Sequence, residues 1–153
     1  MKQPLIAVTG LDEPIEKLAR ETEKKTLAAW AADCAERALP YFEQQYPEDP
    51  RPRDAIATLR EWIRTGVFRM AVIRKASLDA HGAARALSEY DPARSAARSA
   101  GQAVATAHAA THSIAAARYA ATAVRDAAET PDATIKEREW QYQHLIRLRE
   151  KDP

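Results

Sequence analysis

The sequence is short of the residues from which sheets, disulfides and tight turns are built. It has one cysteine, Cys34, and four glycines, and runs of valine, isoleucine and threonine are almost absent. A lone cysteine excludes an intramolecular disulfide and is usual in a reducing compartment, so we expect a cytoplasmic protein. The lack of strand-forming runs predicts an all-α fold. A chain of 153 residues is long enough for one core, and we expect a single domain over residues 1–153.

Excess charge of one sign is also missing. The 23 lysines and arginines and 22 aspartates and glutamates leave a formal net charge of +1, and the two signs are interspersed. This balance gives no reason to expect nucleic acid or an acidic membrane as a partner. The opening MKQPLIAVTG lacks the apolar core of a secretory signal, and no apolar run is long enough for a membrane span.

The signature motifs of several enzyme classes are absent as well. The sequence contains no G-x-x-x-x-G-K-[ST], no G-x-G-x-x-G, no G-x-S-x-G and no CxxC. We therefore expect no cofactor. Whether the protein is an enzyme stays open, with a binding module favoured.

What the sequence has in abundance is alanine, concentrated in one segment. Between Pro92 and Pro131, 17 of the 38 residues are alanine. Asp91 followed by Pro92 is typical of a helix start. We predict one long helix over residues 92–129 that bends, if anywhere, at Gly101. Its larger side chains point in all directions, which is typical of a helix at the centre of a domain.

Proline, glycine and the spacing of apolar residues predict the rest of a bundle of five to six helices around that central helix. Alanine-lined helices also permit a dimer. The other predicted segments are an irregular stretch at 1–11, a helix from Asp12 that Pro40 ends or kinks, a loop at 47–54, a helix ending at Gly66, a helix over 68–88, and a last helix after Thr130-Pro131.

His108 and His112 are the first candidates for chemistry. They stand four residues apart, so on one helix both rings would cover the same patch. Two such histidines can chelate zinc if a third ligand is added, although the glutamate of H-E-x-x-H is missing. Buried core histidines, a recognition role and a metal or ligand carrier all stay open. The candidates for a third metal ligand are Asp33, Cys34, Asp79 and His81.

An enzyme would place its site around the same histidines. A histidine with an ordinary pKa could act as general base at neutral pH, for example in hydrolysis. The candidate catalytic residues are His108, His112, Tyr119 and Asp33. Competing interpretations make Cys34 a core residue and pair Asp33 with Arg37.

A protein-binding module would use other residues. Buried aromatic and arginine anchors supply much of the affinity in protein interfaces. Arg51 and Arg53 are predicted on the proline-rich loop, where they could also simply pair with neighbouring acids. Trp30, Trp62 and Trp140 follow helical spacing and are predicted in the core. The candidate partner-binding residues are Arg51, Arg53, Tyr41, Tyr46 and Tyr90.

Several motifs in a fixed order resemble a known family. They are W-A-A-D-C-A-E-R-A-L-P-Y-F-E, P-E-D-P-R-P-R-D-A-I, E-W-I-R-T-G, A-G-Q-A-V-A-T-A-H-A-A-T-H-S-I-A-A-A-R-Y-A-A and E-R-E-W-Q-Y-Q-H-L. Together they span about residues 24–149. They are similar to the predicted bacterial immunity proteins of the immunity protein five-like group, which accompany polymorphic toxin systems.

The resemblance implies an all-helical protein that binds and neutralises a cognate bacterial toxin. It carries no catalytic residue over to this chain. It implies that seven residues occupy motif positions of the family: Asp33, Arg51, Arg53, His108, His112, Tyr119 and Trp140.

Overall fold

The computed structural model describes residues 3–151, which form seven helices and no strand. The all-α prediction is confirmed, but the helices number seven in this part of the chain rather than five to six. They are α1 (Asp12–Arg20), α2 (Lys24–Glu43), α3 (Arg51–Thr65), α4 (Met70–Arg85), α5 (Pro92–Ala105), α6 (His112–Ala127) and α7 (Asp132–Lys151).

The alanine-rich segment forms two helices, so the prediction of one long helix was wrong. α5 ends at Ala105, and residues 106–111 form a turn before α6 begins. Gly101 lies within α5 and is not the break. A continuous helix of that length would span about 57 Å, well beyond the roughly 30 Å width of a small domain. Folding back lets the chain bury both halves.

α5 and α6 pack against each other as an antiparallel hairpin in the middle of the fold. The Ser99 hydroxyl on α5 donates to the Ala116 carbonyl on α6 at 2.7 Å. α5 also packs against α2, α3 and α4. Most of the hairpin's alanines are buried, and their small side chains let the backbones approach closely.

The helix predicted from Asp12 is also two helices. α1 ends at Arg20 and α2 begins at Lys24, and the Thr22 hydroxyl between them donates to the Leu18 carbonyl at 2.6 Å. Pro40 lies inside α2, which continues to its end at Glu43. A proline in the last turns removes one backbone donor without stopping the helix.

The predicted loop at 47–54 is shorter than expected, because α3 begins at Arg51. Pro52 is in the first turn of α3, where its fixed φ suits a helix and no hydrogen bond is lost. Two other local predictions are confirmed. Gly66 ends α3 with a left-handed φ of 72°, and the Asp91 side chain caps α5 by accepting from the Ala93 amide at 2.9 Å.

Two of the core predictions are confirmed and two need correction. Trp30 is fully buried and donates from its indole nitrogen to the Gln141 carbonyl at 2.8 Å. Cys34 is fully buried too, and burial raises the pKa of its thiol well above the ordinary value, so it stays protonated. Trp62 and Trp140 are only partly buried at the edges of the core.

A buried polar network joins α7 to the first half of the chain. Arg138 is 1% exposed and donates to Asp12 Oδ1 at 2.9 Å and to Gln141 Oε1 at 2.8 Å. Gln141 in turn donates to the Ala117 carbonyl at 2.9 Å. The network therefore ties α1, α6 and α7 together at one charged centre.

Candidate partner-binding surface

His108 and His112 do not share a helical face. His108 lies exposed in the turn after α5, whereas His112 opens α6. The Nδ1 atom of His112 is 2.7 Å from the Gln102 side-chain oxygen, and burial together with the charge of His108 lowers its pKa. The shared face was predicted from a continuous helix, which the structure does not have. Within residues 3–151 no group of three or more His, Cys, Asp and Glu side chains could hold a metal ion.

The four candidate catalytic residues are not brought together. Tyr119 lies on α6 and lines a surface cavity of about 260 Å³ that does not include either histidine of the pair. Asp33 lies on α2 and contacts Arg60 at 3.0 Å and His144 at 2.7 Å. The expected contact of Asp33 with Arg37 is therefore wrong.

Arg37 instead reaches α7, where it forms part of an ordered surface cluster. Its guanidinium makes two hydrogen bonds to Glu137, at 2.9 and 2.8 Å, and lies 3.8 Å from the centre of the Trp140 ring. Trp140 also stacks on His144, with ring centres 4.6 Å apart. Trp140 and His144 are four residues apart, a spacing from which this contact was predictable.

Three of the five candidate partner-binding residues lie close together where α2 meets α3. We call the surface formed by Glu43, Tyr46, Asp49, Arg51 and Arg53 the corner surface. It borders a surface cavity of about 540 Å³ that Tyr46, Asp49 and Arg51 help to line. Both arginines are exposed, but on the first turn of α3 rather than on a loop.

The arginines of the corner surface are held by carboxylates of the same surface. Arg51 donates to Asp49, with its shortest contact at 2.7 Å, and Arg53 donates from Nε to Glu43 at 2.7 Å. These hydrogen bonds lower the pKa of both carboxyl groups. The surface thus presents ordered ion pairs of balanced charge.

The other two candidate tyrosines lie elsewhere. Tyr41 is partly buried against the core. The Tyr90 hydroxyl donates to the Gln3 carbonyl, and its ring lies beneath the Arg125 guanidinium at 5.8 Å. Arg125 also donates to the Pro4 carbonyl at 2.7 Å, so Tyr90 helps to fasten the N-terminal segment to the bundle.

A second polar surface was missed by sequence reasoning and lies along α5, which is flanked by α4 and α6. We call it the cationic surface and define it by His81, Arg85, Arg94, Arg98 and His112. None of its three arginines lies within 4.0 Å of a carboxylate oxygen of the described residues. Sequence spacing could align Arg94 with Arg98 on one helix, but the hairpin and α4 supply the other members.

His81 is the best-fixed member of the cationic surface. Its Nδ1 atom is 2.8 Å from Arg98 Nη1, so the neutral ring accepts a hydrogen bond from the guanidinium. The ring packs directly against Gly101, where a Cβ would lie 2.7 Å from Nε2. Burial, with the charges of Arg98, Arg85 and His112, lowers the pKa of His81 to about 4.

Acid should therefore destabilise the protein through His81. Its folded pKa of about 4 is below the unfolded value of 6.5, so the unfolded state binds the proton first as the pH falls. The contribution to stability is full above the unfolded pKa and is lost between there and pH 4. We expect the free energy of unfolding to fall by about 1 kcal/mol. This figure already allows for solvent screening of the half-buried ring.

Urea unfolding at about pH 7 and about pH 4.5 measures this effect, since that interval covers most of the His81 titration. The His81→Gln variant should lose about 1 kcal/mol less stability than the original chain over the interval. An identical pH dependence in both proteins would contradict the assignment to His81.

An apolar groove between α3 and α4 completes the candidate surfaces. It encloses about 700 Å³ and is lined by Trp62, Val67 and Val72, among others. Val67 and Val72 are 59% and 49% exposed, and Phe68 beside them is 45% exposed. Contiguous exposed apolar side chains are typical of protein contact sites.

Fold and surfaces together describe a small all-helical protein that carries two polar surfaces and an apolar groove. The family model of the Imm-5 like putative immunity protein matches residues 17–148, and the chain belongs to this family. The family resemblance seen in the motifs is thus confirmed, over a slightly longer range. No curated protein and no solved structure matches the chain. Within residues 3–151, no helix has the length and apolar character needed to cross a membrane.

Proposed function

We propose that this protein binds a cognate toxin and neutralises it by covering the surface that the toxin needs for activity. Membership of the immunity protein family over residues 17–148 is the observation that carries the proposal. Such a role requires an ordered surface rather than a catalytic centre, because occlusion involves no chemical step.

The corner surface supports this role. Ion pairs fix the side chains of Arg51 and Arg53 before any partner arrives, which reduces the entropy lost on binding. Tyr46 is 37% exposed and adds an aromatic ring beside the cavity. Arginine and tyrosine are among the residues that contribute most to affinity in protein interfaces. We propose that this surface contacts the toxin.

The function is tested with a candidate toxin domain sought among the genes that neighbour this one. A bacterial host expressing that domain should stop growing, and co-expression of this protein should restore growth. Isothermal titration calorimetry on the purified pair should then show a saturable one-to-one complex. Growth arrest that persists despite abundant folded protein would contradict the proposal.

The contribution of the corner surface is tested by charge reversal. Arg51→Glu/Arg53→Glu places four negative charges where two ion pairs stood, because Asp49 and Glu43 remain. We expect the toxin's dissociation constant to rise about fivefold to tenfold, because exposed charges are screened by solvent and each contributes little to affinity. The melting temperature should change little, since both arginines are exposed.

Arg64→Glu/Arg74→Glu is the matched control. Arg64 also forms an exposed ion pair, with Glu61 at 2.6 Å, but near the opposite end of α3, and Arg74 is exposed on α4. The control makes the same change in net charge. Equal loss of affinity in the two double variants would remove the corner surface from the proposed interface while leaving the proposed function intact.

A further inference from the structure

We infer that the cationic surface binds a carboxylate-rich face of the partner protein. The inference rests on the proposed function for the partner's identity as a toxin, and it names the chemistry by which that partner is recognised. His81 and Arg85 come from α4, Arg94 and Arg98 from α5, and His112 from α6, so three helices hold the surface in place.

Unneutralised charge distinguishes this surface from the corner surface. The arginines at the corner are paired with Asp49 and Glu43, whereas Arg85, Arg94 and Arg98 have no described carboxylate within the 4.0 Å limit for an ion pair. The pKa of Arg98 is lowered by burial and by repulsion from Arg94 and Arg85. An external anion would relieve this repulsion, because it supplies the missing opposite charge.

The donors needed to hold carboxylates are also available. A guanidinium has five N–H groups, and carboxylates accept two of them side by side. Arg98 uses one terminal nitrogen toward His81, and Arg94 uses one toward the Leu87 carbonyl at 3.0 Å. These bonds orient the side chains and leave further donors on each. Arg85 is exposed, and its side chain makes no hydrogen bond or ion pair with the described residues.

The cationic surface depends on His81 being neutral. A charged imidazole could not accept the hydrogen bond from Arg98 and would add to the repulsion. Its lowered pKa keeps the ring neutral at physiological pH. His81 therefore positions the Arg98 guanidinium without cancelling its charge.

An acidic protein fits this surface better than nucleic acid does. The positive charge is local, since the whole chain carries a formal net charge of only +1. An extended polyanion would run onto the neighbouring acids, because Arg51 of the corner surface adjoins Gly82, the residue after His81. The Arg51 Nη1 atom lies 3.4 Å from the position of a Gly82 Cβ, with Asp49 bound to the same guanidinium. A compact acidic face avoids that repulsion.

A fluorescent glutamate peptide of about six residues, short enough to stay on the cationic surface, tests the inference by anisotropy at low salt. We expect saturable binding that weakens as salt is added, because screening reduces the attraction between charges. Arg94→Gln/Arg98→Gln should raise the dissociation constant about tenfold, given the contribution of an exposed ion pair. Circular dichroism checks that the variant folds.

Two further variants test whether binding of the peptide depends on the cationic surface in particular. Arg69→Gln/Arg74→Gln removes the same charge from exposed arginines outside the cationic surface and should change the affinity less than about twofold. Arg85→Glu should weaken binding, and its side chain makes no contact that the fold needs. No binding by the original chain, equal loss in the control, or tighter binding of oligouridylate of equal length would each overturn the inference.

The outcomes separate this inference from the proposed function. If the toxin is neutralised but the glutamate peptide does not bind, the acidic-partner inference fails and the immunity role stands. If the peptide binds through Arg94 and Arg98 but growth is not restored, the immunity role fails and the chemistry of the surface stands.

Discussion

Replacing Asp12 by alanine should lower the free energy of unfolding by about 3 kcal/mol or more, because it leaves a buried guanidinium uncompensated. Arg138 is 1% exposed, and Asp12 is the only carboxylate within ion-pair distance of it among the described residues. Burial acts to raise the pKa of Asp12, but hydrogen bonds from Thr9 and Arg138 hold it below the ordinary value. The pair's contribution is therefore present above the unfolded pKa of Asp12 and is lost as the pH falls through the lower folded value. Urea unfolding at neutral pH measures the cost.

Two companion variants separate the ion pair from local contacts. Thr9→Ala removes a hydroxyl that donates to Asp12 and accepts from the Leu11 amide, leaves the ion pair in place, and should cost about 1 kcal/mol. Asp12→Ala/Arg138→Met removes both charges and should recover part of the loss, since a buried pair is often replaceable by apolar side chains. If Asp12→Ala costs no more than an exposed ion pair, the buried network does not persist in solution.

Replacing Gly101 by alanine should destabilise the protein by about 1 to 2 kcal/mol, although alanine is the better helix former. The new Cβ would lie 2.7 Å from Nε2 and 2.8 Å from Cδ2 of His81, so the ring must move away from its place beside Arg98. The clash costs more than the roughly 1 kcal/mol that alanine contributes within a helix. Thermal and urea unfolding of the variant give the net effect.

Removing the His81 ring should reverse the effect of Gly101→Ala on stability from destabilising to stabilising. In a His81→Ala background, Gly101→Ala should stabilise the protein by about 0.5 to 1 kcal/mol, because only the helix preference remains. Gly82→Ala in α4 is the matched control. Its Cβ meets only Arg51 Nη1 at 3.4 Å, an ordinary contact with a flexible end, so it should not destabilise. A destabilising effect of Gly101→Ala in both backgrounds would show that His81 is not the cause.

These two positions connect stability to the proposed recognition surfaces. Asp12 and Arg138 join α1 to α7, Gln141 links Arg138 to the hairpin, and Gly101 leaves room for the ring that positions Arg98. A variant at either position that loses partner binding must therefore be compared for stability before a contact is inferred. For the arginine variants of the two surfaces, an unchanged melting temperature means that a loss of binding reports a lost contact and not a loss of stability.

Local sequence signals predicted helix ends correctly where the backbone conformation depends on a few adjacent residues. Asp91 with Pro92 starts α5, and Gly66 ends α3, because capping and a left-handed φ depend on residues next to each other. The all-α class followed from composition, and the family followed from motif order. The extents of the helices were less predictable. Alanine is compatible with both a continuing helix and a turn, so it did not predict the break at 106–111.

The candidate sites were predictable only in part for the same reason. Tyr46, Arg51 and Arg53 lie close in sequence and also in space. His108 and His112 are equally close in sequence, but the turn at the start of α6 separates their faces. Asp33 finds its contacts on α3 and α7, at residues that no local spacing relates to it.

The sequence by itself determined the helical class, the start of α5 at Asp91-Pro92, the end of α3 at Gly66, and the family. The class and the two helix ends depend on residue type or on neighbours within a few positions, and the family depends on the order of motifs along the chain. The tertiary structure alone decided that the alanine-rich segment folds back, that Arg138 is buried beside Asp12, and that the packing of α4 on α5 brings His81 to Arg98. Those contacts join residues 17 to 126 positions apart, and their energies depend on packing and burial that no local pattern encodes.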